Sequence, residues 1–153
     1  MIFRKATSED LPAIVEMLAD DILGSKREQF EDPLPVFYQK AFDRLSQNDD
    51  QELIVVEDEN NEVIGTLHLT FLTYLTYRGG TRAQIEAVRI HRDHRGKGIG
   101  EKLFRWAIDR SKERGAHLLQ LTTDKERPNT IKFYERLGFK ASHIGMKLHL
   151  NQK

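Results

Sequence analysis

The sequence of 153 residues contains no cysteine. This absence excludes a disulfide-stabilised scaffold, a thiolate zinc site and a cysteine nucleophile. It also has no apolar run near the ~20 residues that a membrane-spanning helix needs. Residues 1–5 show neither the apolar core nor the small-residue cleavage site of a signal peptide. We therefore expect a cytoplasmic protein with no membrane partner.

Net charge is also lacking, because 24 basic side chains balance 24 acidic ones. A nucleic-acid binder that relies on overall basicity is disfavoured, and no nucleic-acid-binding motif is present, so we expect no nucleic-acid partner. The charges are nevertheless divided along the chain. Residues 1–65 hold 6 basic and 16 acidic side chains, and residues 66–153 hold 18 basic and 8 acidic ones. This division predicts that the second half binds an anionic ligand.

The hydrophobic pattern predicts one domain, residues 1–153, without repeats or linkers. Strands are predicted at 2–5, 53–56, 63–77, 83–90 and 118–122, with one or two more within 139–150. Helices are predicted at 8–23, with Thr7 as N-cap, and at 36–45, 99–114 and 128–137, with Gly24 ending the first and residues 25–34 forming a loop. This order indicates an α/β (α+β) fold with a mixed sheet of six to seven strands and about four helices.

A glycine-rich basic segment runs from Arg95 to Gly100, between a predicted strand and a predicted helix. Its three glycines let backbone N–H groups approach a ligand closely, and the helix N-terminus adds a positive dipole. Phosphate or pyrophosphate suits such a segment, although a tight turn with a solvated basic face explains it equally well. The spacing matches neither a P-loop nor a dinucleotide-binding fingerprint.

Two blocks of sequence resemble the GCN5-related N-acetyltransferase (GNAT) family. Residues 88–100 end in Arg95, Gly98 and Gly100, which match the family's Arg/Gln-x-x-Gly-x-Gly/Ala signature, and residues 133–139 match its C-terminal motif. The resemblance implies transfer of acetyl from acetyl-CoA to an amine. It also implies a GNAT-like, mostly antiparallel, twisted sheet that is splayed between its fourth and fifth strands.

The resemblance further implies a coenzyme A site formed by the glycine-rich segment and the strand before it. Its predicted residues are Val88, Arg89, Ile90, Arg95, Gly96, Lys97, Gly98, Ile99 and Gly100. Backbone groups of Val88 and Ile90 would pair with the pantetheine arm. Arg127 stands where the family often has asparagine, and Asn129 lies two positions later, so either side chain is a candidate for a coenzyme contact.

Attack of an amine on a thioester needs a neutral nucleophile, a stabilised oxyanion and a protonated leaving group. A free amine has a pKa near ~10, so a base must remove a proton at neutral pH. Glu86 is the candidate base, acting through water, and the Val88 N–H would donate to the thioester carbonyl. Tyr134 is the candidate acid. The alternative for Glu86 is a surface carboxylate that forms an ion pair with Arg82 or Arg89. The alternative for Tyr134 is an aromatic ring of the core.

The resemblance to the GNAT family also implies that the acceptor amine meets the first two helices and the loop between them. Arg27 and Glu28 are the predicted substrate-binding residues. The acidic side chains around them favour a cationic small molecule such as a polyamine or an aminoglycoside, whereas Arg27 suits the carboxylate of an amino acid. A protein or peptide amine, and a non-catalytic acyl-CoA-binding module, remain alternatives.

No metal site is predicted, because His91 and His94 are too loosely spaced on a loop to form one. Exposed strand edges are compatible with a homodimer.

Overall fold

The fold was analysed in a computed structural model, which describes residues 1–127 and 129–151. Two compact units make up the chain, Met1–Leu121 and Thr122–Lys153. The predicted single domain stays a prediction.

The first unit contains five strands and five helical segments. The strands are β1 (Ile2–Lys5), β2 (Gln51–Glu57), β3 (Val63–Thr73), β4 (Thr81–Ile90) and β5 (Leu118–Leu121). The helical segments are α1 (Leu11–Ala19), α2 (Ile22–Arg27), α3 (Val36–Ser46), α4 (Thr76–Gly79) and α5 (Ile99–Glu113), with 3₁₀ turns at Ser8–Asp10 and Arg92–His94.

The five strands form one mixed sheet in the order β1-β2-β3-β4-β5. The first four are antiparallel to their neighbours, and β5 is parallel to β4 because α5 carries the chain back across the sheet. The predicted mixed, mostly antiparallel sheet is confirmed. Its predicted count of six to seven strands is wrong for the described residues, which form five.

The core lies on both faces of the sheet. On one face, α5 buries Leu103, Phe104 and Ala107. On the other, α1 buries Ile14 and Val15. Alternation along each strand supplies apolar side chains to both layers. The sheet therefore forms the middle layer of this unit, with α5 on one face and α1 and α3 on the other.

The first predicted helix is broken into two, which raises the helix count above the predicted four. α1 ends at Ala19, and α2 begins after Asp21, whose side chain accepts a hydrogen bond from the Gly24 N–H. Gly24 is buried inside α2 and does not end a long helix. A Cβ at this position would collide with the Leu18 carbonyl, so the close packing requires glycine. The predicted loop at residues 25–34 therefore begins with the last residues of a helix.

The second unit contains α6 (Thr130–Arg136). The helix ends before Gly138, whose φ of 98° places it in the left-handed region that favours glycine. Pro128, predicted near the start of this helix, lies outside the described residues. The final strands predicted within 139–150 do not form. Ile144 and Met146 belong to the alternating apolar pattern that predicted them, but each of these side chains is 93% exposed.

No helix in the described part of the chain combines the length and the apolar character that crossing a membrane requires.

Candidate active site

The fourth strand is interrupted by a β-bulge at the position of the predicted chemistry. Thr66 of β3 faces Arg89 of β4, and His68 faces Glu86, so two β4 residues stand opposite Leu67 alone. One of the two, Ala87, has a φ of 54°. A bulge leaves its extra residue outside the regular ladder and re-aims the adjacent backbone. The local geometry therefore turns the backbone beside Val88 out of regular pairing.

The pairing of β4 with β5 stops just before the bulge. Arg82 to Ile85 pair with Leu118 to Leu121, whereas β4 continues to Ile90. In the described residues, the last part of β4 thus has no strand on its β5 side. The pairing ends because β5 itself ends at Leu121, and the splay predicted between the fourth and fifth strands stays a prediction.

Glu86 is exposed and lies in a row of polar side chains across the sheet. Gln84 Nε2 donates to Glu86 Oε1 at 2.8 Å, and Gln120 Nε2 donates to Gln84 Oε1 at 3.0 Å. His68 lies opposite Glu86 in the β3–β4 register. The carboxylate is thus held by an amide rather than by the predicted alternative, an ion pair with Arg82 or Arg89.

The carbonyls of Val88 and Ile90 each accept one hydrogen bond from an arginine. Arg89 Nη1 donates to the Val88 oxygen at 2.7 Å, and Arg95 Nε donates to the Ile90 oxygen at 3.1 Å. A carbonyl oxygen has two lone pairs, so each retains the capacity to accept a second bond. The Arg89 guanidinium also lies 3.8 Å from the Asp21 carboxylate.

The glycine-rich segment enters α5 through Gly98, which is the N-cap residue with a φ of 76°. No side chain caps this end of the helix, and added Cβ atoms at Gly96 and Gly98 would meet nothing within 4 Å. The first N–H groups of an α-helix have no intrahelical partner. This end of α5 therefore presents backbone donors, with Ile99 and Gly100 as its first two residues.

The cations of this segment already have partners in the protein. Arg95 Nη2 lies 3.1 Å from Asp20 Oδ2, and Lys97 Nζ donates to the Asp93 carbonyl at 2.9 Å. Arg92 contacts both Asp20 and Glu16, at 3.6 and 3.3 Å. Acidic groups at the end of α1 thus neutralise part of the basic segment.

The predicted acceptor residues lie at and after the end of α2. Arg27, the last residue of α2, is exposed. Glu28 is half-buried, and its carboxylate accepts a hydrogen bond from the Tyr38 hydroxyl at 3.2 Å. The Tyr38 oxygen in turn accepts from the Gln29 N–H at 2.9 Å. Glu28 is therefore tied to α3, whereas Arg27 is turned to solvent.

A cleft between α1, α3 and the sheet was not predicted from the sequence. It has a volume of about 140 Å³ and is lined mainly by apolar side chains, together with Tyr38, Thr66 and His68. His68 Nε2 lies 2.9 Å from Gln51 Oε1. Burial lowers the pKa of His68 from its ordinary value of 6.5, although Glu86 partly opposes that shift. The imidazole is therefore neutral at pH 7. In the sequence, the position of His68 within a strand of alternating polar and apolar residues was the one feature that could have indicated that it faces this cleft.

The second unit contains the remaining predicted site residues. Tyr134 is half-buried in α6, with its ring 5.5 Å from Phe133 and 6.0 Å from Phe139 between centroids. The Arg127 carbonyl accepts from the Thr130 hydroxyl at 3.2 Å, and Asn129 is the N-cap residue of α6 with a φ of 62°. These contacts fix the start of α6 and enclose the Tyr134 ring in an aromatic group.

No group of three or more histidine, aspartate or glutamate side chains within residues 1–127 and 129–151 is arranged to hold a metal ion. The His91 and His94 rings pack edge to face, 6.0 Å apart.

A strand edge without a pairing partner that leads to an uncapped, glycine-rich helix start offers one surface for an extended chain and one for an anionic group. The sequence model described as the acetyltransferase (GNAT) family matches residues 15–139. The chain therefore belongs to the GNAT family, and it is an N-acetyltransferase.

Three similar proteins illustrate the range of relatives. An L-methionine sulfoximine/L-methionine sulfone acetyltransferase of Pseudomonas aeruginosa is 27% identical over 91% of this chain and 80% of its own length. An aminoalkylphosphonate N-acetyltransferase of Salmonella typhimurium is 32% identical over 56% of this chain and 54% of its own length. A crystal structure described as a transcriptional regulator from Bacillus halodurans C-125 is 55% identical, with a TM-score of 0.94, over 97% of this chain and 99% of that one.

Proposed function

We propose that the protein transfers acetyl from acetyl-CoA to the primary amine of a small molecule, by direct attack of the amine on the thioester. The observation that carries this proposal is the interruption of β4. The bulge at Ala87 and the end of β5 pairing at Ile85 free one strand edge beside Glu86 and Val88. Curated relatives that are named as acetyltransferases of small amino compounds support the substrate class.

The start of α5 fits the pyrophosphate of coenzyme A. Uncapped backbone N–H groups, a helix dipole and the open space around Gly96 and Gly98 suit an anion. Arg95 and Lys97 would add positive charge, and Arg95 would exchange Asp20 for a phosphate oxygen. In the second unit, Arg127 and Asn129 remain candidates for further coenzyme contacts.

Three groups divide the proposed chemistry. Glu86 removes a proton from the amine through water, and the Val88 N–H donates to the thioester oxygen as negative charge develops there. Tyr134 gives its phenolic proton to the departing thiolate. Removing one oxyanion-hole donor typically costs about 3 kcal/mol of transition-state stabilisation.

A protein or peptide amine is the alternative acceptor. The Bacillus halodurans structure is described as a transcriptional regulator, but the residues of this chain give that role no further support.

The proposal is tested by measuring acetyl-CoA binding and thiol release over a panel of amines. Glu86→Gln should lower the rate and change the pH profile while leaving acetyl-CoA affinity intact. Glu59→Gln is the matched control, because Glu59 is an exposed carboxylate in the β2–β3 turn. An unchanged pH profile in the Glu86 variant would remove Glu86 from the mechanism. Stabilisation by acetyl-CoA without turnover of any small or peptide amine would instead indicate a binding module.

A further inference from the structure

We propose that the acceptor is a compact primary monoamine whose uncharged apolar body, of about six non-hydrogen atoms, fills the cleft beneath α3. Its nitrogen lies at the rim near His68 and Glu86. This inference rests on the acetyl transfer proposed above and specifies its substrate class.

The size of the cleft sets the size of the body. Its volume of about 140 Å³ is close to the 150 Å³ of an engineered protein cavity that holds benzene. Its floor is closed by the buried side chains of Ile14, Val15 and Thr66, whereas Ala41 and Ala87 at its rim are exposed. The cleft is thus a small, partly open pocket, and an aminoglycoside is several times too large for it.

The polarity of the cleft excludes a second charge on the body. No carboxylate or permanently charged side chain is among the described residues that line it. The Thr66 hydroxyl is used by a bond to the Ile54 carbonyl at 2.9 Å, and the Tyr38 hydroxyl by its contacts with Glu28 and the Gln29 N–H. A second ammonium on the floor would lose its hydration without gaining a counter-ion. A polyamine is therefore disfavoured, although the acidic first half of the sequence suggested one.

The polar end of the cleft suits a single nitrogen. The side-chain amide oxygen of Gln51 can only accept a hydrogen bond, so the hydrogen in its 2.9 Å contact with His68 resides on the imidazole Nε2. His68 Nδ1 then carries a lone pair that can accept an N–H of the amine. Glu86 lies opposite His68 in the strand register, so the nitrogen would meet the proposed base at the same rim.

The first experiment compares two amines of equal size. Pentylamine and 1,4-diaminobutane each have about six non-hydrogen atoms and differ in whether the far end is a methyl group or an ammonium. We expect kcat/KM for pentylamine to exceed that for the diamine by about 100-fold or more, since the charged end would have to be desolvated. Methylamine and kanamycin complete the panel as acceptors that are too small and too large.

Variants at the rim separate filling of the cleft from damage to the fold. Ala41→Leu should raise KM for pentylamine about tenfold or more and raise KM for methylamine much less, because the added side chain takes up the space of the apolar body. Gln39→Leu is the matched control, since Gln39 is exposed on the same helix and does not line the cleft. Ala41→Glu should shift the preference toward the diamine by about tenfold by supplying a counter-ion.

Direct binding of pentylamine, measured by saturation-transfer NMR, makes failure of this inference distinguishable from failure of the proposed function. Binding that Ala41→Leu removes and Gln39→Leu retains supports the inference even if acetyl transfer is absent. Turnover of the diamine or of kanamycin as efficient as that of pentylamine would leave acetyl transfer standing and overturn the inference. Absence of both pentylamine binding and pentylamine turnover would also overturn it.

Discussion

Replacing Arg110 with methionine is expected to destabilise the protein, because the buried carboxylate of Glu52 would lose its main counter-ion. Glu52 in β2 is 1% exposed. Arg110 of α5 holds it through contacts of 2.6 Å from Nη2 and 3.0 Å from Nε, and Arg114 Nη1 donates at 3.0 Å. The variant removes the guanidinium that contacts Glu52 through two nitrogens and leaves Arg114 as the remaining hydrogen-bond donor to Glu52.

The size of the effect follows from this geometry. Breaking a buried ion pair so that one charge is left uncompensated costs about 3–5 kcal/mol. Because Arg114 remains and Arg110 is itself 31% exposed, we expect the lower part of that range or slightly less, about 2–3 kcal/mol. For a chain of this length, that corresponds to a fall in Tm of about 4–12 °C. The free energy of unfolding would be measured by urea denaturation.

The pH dependence gives a sharper test. Burial alone would raise the pKa of Glu52, but the hydrogen bonds and charge of Arg110, with Lys5 and Arg114, lower it below its ordinary value of 4.5. The stability that Glu52 contributes is therefore present above pH 4.5 and is lost as the pH falls through the lowered pKa. In Arg110→Met, burial dominates and the pKa should rise. The deficit should be largest at neutral pH, begin to shrink as the pH falls through the raised pKa of the variant, and shrink further as the pH falls through the lowered pKa of the wild type.

The control for this prediction is Arg105→Met on the same helix. Arg105 is 63% exposed and pairs with Glu101 at 2.6 Å, one turn away. Such a surface pair contributes about 0.3–0.5 kcal/mol, so the control should hardly change stability. Equal losses in the two variants, or a loss in Arg110→Met that does not depend on pH, would refute the reasoning.

Three further predictions concern the site. Asp20→Asn should lower the Kd for coenzyme A about two- to fivefold, because Arg95 would lose a competing exposed partner worth up to about 1 kcal/mol; calorimetry that shows no change would contradict this. Tyr134→Phe should reduce turnover by about 100-fold while the Kd for acetyl-CoA stays within about twofold, and steady-state kinetics showing unaltered turnover would exclude Tyr134 as the acid. His68 should titrate by NMR below 6.5 because it is buried, with Glu86 opposing, and its contribution to stability should be lost as the pH falls below 6.5; a midpoint at or above 6.5 would count against this.

The sequence was most informative where local chemistry decides structure. The apolar stripe of α5 and the glycines before it predicted the helix and the glycine-rich segment that leads into it, because these features depend on neighbours in the chain. The α3 helix was likewise predicted at 36–45 and is observed at Val36–Ser46.

Features that depend on tertiary contacts were missed or misread. Ala87 adopts a positive φ that nothing in its residue type indicates, because the bulge arises from the pairing of β4 with β3. Gly24 looked like the end of a helix, whereas its absent side chain allows close approach to Leu18. The alternation around Ile144 and Met146 predicted strands, but alternation supplies no pairing partner by itself. The cleft combines residues from five separate helices and strands and has no linear signature.

The division of charge along the sequence has a second cause besides an anionic ligand. Five arginines of the basic half pair with acidic side chains of residues 1–65; they are Arg89, Arg92, Arg95, Arg110 and Arg114. Two of these pairings, those of Arg110 and Arg114 with Glu52, join α5 to the sheet far along the strands from the glycine-rich segment. They are structural, because Glu52 is buried. The pairing of Arg95 with Asp20 is exposed and lies beside the uncapped start of α5. Only this second kind of pair can be exchanged for a phosphate, so the charge division predicts coenzyme binding through Arg95 and fold stability through Arg110.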